Sequence, residues 1–193
     1  MSLELIFFRI SNFVWILPAF RQYNNKYFYF FLILPVFDII TGIFRDILYI
    51  TSNVPYVIQA IFLVASLQGI DKLKRYSFLK FVFVLMVISI MIIVNNRFFE
   101  IYIIGFFHFI ILYYVLFHFF RYNIEKQTLH LFYIVLVLFQ VLNVFKFVNI
   151  VALNYDGYFY TVITNFFQIM IGLFFSFFTP DSLMLSFKLV SKR

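Results

Sequence analysis

The sequence predicts an all-α polytopic membrane protein: a bundle of seven transmembrane helices, with the N-terminus outside and the C-terminus in the cytoplasm. Three observations carry this expectation. Of 193 residues, 65% are hydrophobic and 12% charged, 33 are phenylalanine, and the mean hydropathy is +1.01. A soluble fold of this size has too large a wetted surface to hide so much apolar area, so lipid is the expected solvent. The apolar residues come in continuous runs, not alternating ones, and in lipid only helices and closed barrels satisfy their own backbone, so the runs read as helices. The basic residues, finally, fall in short gaps between the runs, as orientation signals do.

The runs are Leu3 to Phe20, Tyr27 to Phe44, Val54 to Leu67, Phe78 to Val94, Ile101 to Phe120, Leu129 to Val148 and Tyr158 to Phe178. A spanning helix needs roughly 20 mostly apolar residues, with about 17 as the lower end. The third run is short, and Arg9 and Asn12 interrupt the first, so six spans are the alternative if the first lies flat. A cleaved signal peptide fits the first run poorly, because Glu4 precedes any basic residue and no small-x-small site follows.

Orientation follows from Lys and Arg. The first, third and fifth loops with the tail hold Arg21, Lys26, Lys72, Lys74, Arg75, the adjoining Lys80, Arg121, Lys126, Lys188, Lys192 and Arg193. The other side has Arg45 and Arg97, with Arg9 and Lys146 inside runs towards that side. Eleven against four, alternating loop by loop, sets the topology. Tyr23, Tyr27, Tyr29, Tyr49, Tyr102, Tyr122, Tyr155, Tyr158 and Tyr160 cluster near the ends of runs, as an aromatic belt does. The integral membrane address is the cytoplasmic membrane of a prokaryote.

Residues 1–178 therefore read as one transmembrane domain and 179–193 as a short amphipathic or basic cytoplasmic tail. Thr179-Pro180-Asp181 has the form of a helix start: a hydroxyl cap, proline at the first position and an acid in the first turn. Leu183, Met184, Phe187 and Val190 fall on one face, which predicts a short helix on the inner leaflet. A frayed basic tail is the alternative.

Composition also excludes chemistry. Cysteine is absent, which removes disulfides, thiolate metal sites and cysteine nucleophiles. The net charge of +7 belongs to orientation and not to nucleic acid. No Gly-rich phosphate loop, HExxH, paired-carboxylate motif or nucleophile elbow occurs. His108 and His118 share a run, but ten residues separate them by nearly three turns and about 80°, so one metal cannot take both. His118 and His130 read as interfacial hydrogen-bonding groups. The seventh run has no lysine for a retinal Schiff base. No cofactor or metal is expected.

Polar groups inside apolar runs are costly in lipid and face a partner, the bundle interior or a cavity. The second run carries Asp38, Thr41 and Arg45 at i, i+3 and i+7; the third has Gln59 and Ser66. The sixth offers Gln140, Asn143 and Lys146, and the seventh Thr161, Thr164, Asn165 and Gln168, each set on one arc. With the sixth run directed outward and the seventh inward, these residues meet in the outer half of the bundle. The expectation is an outward-facing polar pocket lined by runs 2, 3, 6 and 7, with Asp38 and Lys146 as counter-charges. The competing reading is hydrogen-bond glue worth about 0.6 to 2 kcal/mol per group, with Lys146 reaching the outer interface on its long stem.

A faint repeat, Phe20-Arg21-x-x-x-x-Lys26 and Phe120-Arg121-x-x-x-x-Lys126, relates runs 1 to 3 with runs 5 to 7. Three functions fit these features. The first is a non-enzymatic sensor-like or accessory module that meets a small polar ligand or a protein partner. The second is a small-solute or ion transporter, and the third an intramembrane lipid-modifying enzyme that needs Asp38 to converge with a histidine.

Overall fold

The computed structural model describes residues 3–46, 53–68, 87, 96–153, 158–182 and 185–188, and these are mostly helical. The helices are α1 (Leu3–Val14), α2 (Ile16–Arg21), α3 (Phe28–Asp46), α4 (Val54–Gln68), α5 (Arg97–Lys126), α6 (Leu131–Leu153) and α7 (Tyr158–Phe177). Two three-residue strands, β1 (Thr128–His130) and β2 (Ser186–Lys188), complete the order. The expected fourth span, Phe78 to Val94, lies outside the described residues except for Val87, which packs against the core.

The first run is two helices, and proline explains why. Pro18 has no N–H to give the Val14 carbonyl and its ring crowds that oxygen. The helix therefore breaks at Trp15, after a last bond from the Trp15 N–H to the Ser11 carbonyl at 3.0 Å. Asn24 then takes a positive φ of 73° in the link to α3, a conformation that asparagine tolerates. Pro35 sits inside α3 and leaves the Phe31 carbonyl without its helical donor.

Two expectations need correction. Residues 121–126, expected as a loop, continue α5 instead. Arg121 donates to Glu125 at 2.6 Å, an i,i+4 pair that supports the exposed last turns. The Arg121 hydrogen bond holds the Glu125 carboxyl below its ordinary value. Gln127 closes the helix with a φ of 50°, its side chain donating to the Ile124 carbonyl at 3.1 Å. The tail is the second correction: Thr179 to Ser182 form a turn, with the Thr179 N–H donating to Ser182 Oγ at 3.0 Å, and residues 186–188 are a strand rather than a helix. Strand β2 pairs antiparallel with β1, Thr128 opposite Lys188, Leu129 opposite Phe187 and His130 opposite Ser186. The extended segment after α5 leaves backbone donors and acceptors that a second extended segment satisfies, and buried Leu185 anchors that segment to the core.

By length and composition, Phe99–Lys126 and Leu131–Asn149 are able to cross a membrane. Phe28–Phe44, Val54–Gln68 and Val162–Phe177 are apolar but shorter. Only 28% of the most apolar window of Phe99–Lys126 is buried. Phe106, Phe109, Tyr113, Phe117 and Phe120 all point away from the protein.

The packing closes a ring. Helix α3 packs on α4, α4 on α5, α5 on α6, α6 on α7, α7 on both α1 and α2, and these return to α3. One end of the ring is filled by aromatic rings: Trp15 and Phe139 lie 4.6 Å apart between centroids, Phe31 and Phe175 4.8 Å, and Phe132 and Phe175 5.1 Å. Gln22, fully buried, ties this end together by donating to the Phe175 and Phe178 carbonyls at 3.1 and 2.8 Å. Those carbonyls belong to the last turn of α7, where a helix has no donors of its own.

Candidate functional site

A cavity of about 260 Å³ opens inside the ring, and every helix of the ring except α2 lines it. Trp15 and Phe139 form its floor, since both also belong to the aromatic cluster. Of the residues expected from sequence, Asp38 from α3, Gln59 from α4, Asn143 and Lys146 from α6, and Asn165 and Gln168 from α7 all face this space. The i, i+3 and i+4 spacings on α6 and α7 bring them onto inward arcs, because residues so spaced share a helix face.

Thr41, Gln140 and Thr164 do not line it. Thr41 gives its hydroxyl to the Phe37 carbonyl one turn back, at 2.7 Å. Gln140 donates to His108, with 2.7 Å to Nδ1 and 3.3 Å to the carbonyl. Thr164 is buried elsewhere on α7. Of Arg45 and Thr161 only the helical backbone is described.

Several lining groups were not anticipated. Ser11 and Asn12 enter from α1, Asn53 and Tyr56 from the start of α4, and His108 from α5. The Ser11-Asn12 pair inside an apolar run was a usable signal, since polar residues there rarely face lipid. His108 is held rather than free: beside the Gln140 contact, its ring stacks on Phe147 at 4.8 Å and 24°. Asp38 and His108 thus share one cavity, although His108 Nδ1 is occupied by Gln140. Asn53 uses both its N–H and its side-chain amide on Glu100 Oε2, at 3.1 and 2.9 Å, and so fastens α4 to α5 beside the cavity.

The two charges are arranged unlike a salt bridge. Helices α3 and α6 are not adjacent in the ring, so Asp38 and Lys146 approach across the cavity. Each lies in the other's field, yet among the described residues neither makes a hydrogen bond or an ion pair within 4.0 Å. Gln59 and Gln168 are spent on protein, donating to the Leu34 carbonyl at 3.2 Å and to Asn143 Oδ1 at 3.3 Å. Asn165 is different: its side-chain N–H₂ is buried without a partner. Among the described residues no three His, Asp or Glu side chains converge to hold a metal.

Comparison with protein-family models, with curated proteins and with solved structures finds no match for this chain.

Proposed function

We propose that this chain is an integral membrane protein of seven spans, N-terminus outside and C-terminus cytoplasmic, that binds a small polar ligand in its central cavity and acts through a protein partner. The single observation that carries the binding reading is the cavity itself, into which α1, α3, α4, α5, α6 and α7 all turn polar residues and which holds two opposite charges without direct partners among the described residues. Glue consumes its polar groups pairwise. Among the described residues Asp38, Lys146 and the Asn165 amide are left over.

Membrane residence is supported by the outer faces. A core helix of a soluble protein is mostly buried, whereas Phe99–Lys126 keeps most of its apolar surface outward, with Phe106 62% exposed and Phe120 57%. The loop-by-loop excess of Lys and Arg supports the orientation. The chain has no cysteine, so single substitutions report topology cleanly. In intact cells an impermeant maleimide should label Asn96→Cys and spare Lys126→Cys; the reverse pattern inverts the topology, and the same result at both positions, labelled or protected, removes the span between them.

A second reading, transport of a small solute or ion, is favoured by the ring order. Exchanging α1 to α4 with α5 to α7 by a half-turn leaves the sequence of neighbours around the ring unchanged, which agrees with the faint repeat at Phe20 and Phe120. The first run, broken at Trp15 ahead of Pro18, also borders the cavity through Ser11, Asn12 and Trp15, as broken helices do at transporter sites. Uptake into proteoliposomes that disappears in Asp38→Asn selects transport; a stable stoichiometric partner in native membranes, with no uptake, selects the accessory module.

A further inference from the structure

Resting on the cavity reading above, we propose that the ligand is a small zwitterion, with its ammonium group held by Asp38 and an anionic carboxylate or phosphate oxygen held by Lys146 and Asn165.

Charge and geometry lead to this class. Asp38 and Lys146 stand on non-adjacent helices on the cavity wall, close enough to feel each other and too far apart to pair. Two charges in a half-buried space cost several kcal/mol each in lost hydration unless a partner replaces the water. A ligand with one charge compensates one of them and leaves the other exposed to the same cost. A zwitterion laid across the gap compensates both at once.

The donors are also unevenly placed. Asn165, 97% buried by its exposure of 3%, lines the cavity from α7, the helix that packs beside α6 and its Lys146, and its side-chain N–H₂ is buried beside that wall with no partner among the described residues. A buried amide donor without an acceptor carries a cost of about 1–3 kcal/mol, which an incoming anionic oxygen removes. Asn143 lines the same side, its side-chain oxygen accepting from Gln168. The anion end is therefore set against α6 and α7 and the cation end against α3.

Size limits the class. A cavity of about 260 Å³ suits a compact polar molecule such as a free amino acid or the exposed headgroup of a zwitterionic lipid. Trp15 on the floor supplies an aromatic face to the apolar part of either one.

The test uses the full-length protein in nanodiscs of phosphatidylglycerol alone, with thermal stability as the readout. The probes are the common α-amino acids and glycine betaine at millimolar concentration, their N-acetylated or amidated counterparts, and discs containing added phosphatidylethanolamine. Stabilisation by at least one zwitterion, lost when either end is blocked and weakened about tenfold or more in Asp38→Asn and in Lys146→Met, is the expected result. Stabilisation by phosphatidylethanolamine but not by free amino acids assigns the zwitterion to a lipid headgroup. Stabilisation by simple carboxylates or simple amines that survives blocking of the other end overturns the zwitterion and leaves a binding cavity. Absence of any shift with every probe overturns the zwitterion; if Asp38→Asn and Lys146→Met then also leave stability unchanged, the binding cavity falls with it. The blocked-end series needs no variant, so a poorly folding substitution does not blunt the test.

Discussion

Val14 rests against Gly172 so closely that a Cβ on the glycine would lie 2.9 Å from Val14 Cγ1, with the Trp15 ring next at 3.5 Å. This contact fixes the broken first run onto α7 and so sets one wall of the ring. Valine is stiff at χ1 and buried here, so it cannot swing away. Gly172→Ala gains helix propensity of about 0.8–1 kcal/mol, but overpacking costs about 1–3 kcal/mol, and Gly172→Val exceeds any propensity gain. We expect lower thermal stability in detergent for both, with Val14→Ala restoring part of the loss in Gly172→Ala. A Gly172→Val protein as stable as the parent would mean the two segments do not pack this way.

Gln22 carries a different kind of constraint, because its amide is the donor for two carbonyls at the end of α7. Gln22→Leu keeps the volume and removes both bonds, at an expected cost of about 1–3 kcal/mol. Gln22→Glu can donate only while protonated, so this variant should be more stable near about pH 5 than near about pH 8. Equal loss at both values would assign the effect to shape alone.

The pairing of Leu129 with Phe187 gives a geometric test of the tail. Directly opposed strand residues bring their Cβ atoms to about 4.5–5.5 Å, close to what a disulfide needs. In a chain with no native cysteine, Leu129→Cys with Phe187→Cys should cross-link readily under mild oxidation. Phe120→Cys with Phe187→Cys, one member on an outward face of α5, should not. Failure of the first pair would return the tail to the helical form that its Thr-Pro-Asp start predicts.

Much of the cavity's lining was legible in sequence because polar residues are scarce within these apolar runs. The spacing of Asn143 with Lys146, and of Asn165 with Gln168, shows up against runs of Phe, Ile and Leu, and all four line one cavity. What spacing does not reveal is how each group is spent. Thr41 turns back to its own helix and Gln140 crosses to His108, outcomes fixed by rotamer and by neighbours far away in sequence. His108 drew attention only as one of two histidines on a run, while its actual company is Gln140 and Phe147. The tail misled for a related reason. A three-residue strand has no periodicity to read, and its partners, Thr128 to His130, lie 56 to 60 residues away.

Asp38 and Lys146 should show as a coupled pair in the energetics of the empty protein. Removing one of two opposed charges leaves the other uncompensated in a half-buried space, whereas removing both leaves neither. Asp38→Asn and Lys146→Met should each lower thermal stability, and the double variant should be at least as stable as the better single one, a coupling read from the cycle of four proteins. A hydrogen-bonded pair recovers in the same way when both members go, so the cycle reads the coupling of the two charges, and the ligand series separates binding from scaffold. Gln140→Leu is the internal comparison, since its amide already has a protein partner in His108. It should lose about 0.6 to 2 kcal/mol with no recovery from any change at Asp38 or Lys146. A double variant weaker than both singles would make the charges part of the scaffold and leave the cavity without its two principal ligand contacts.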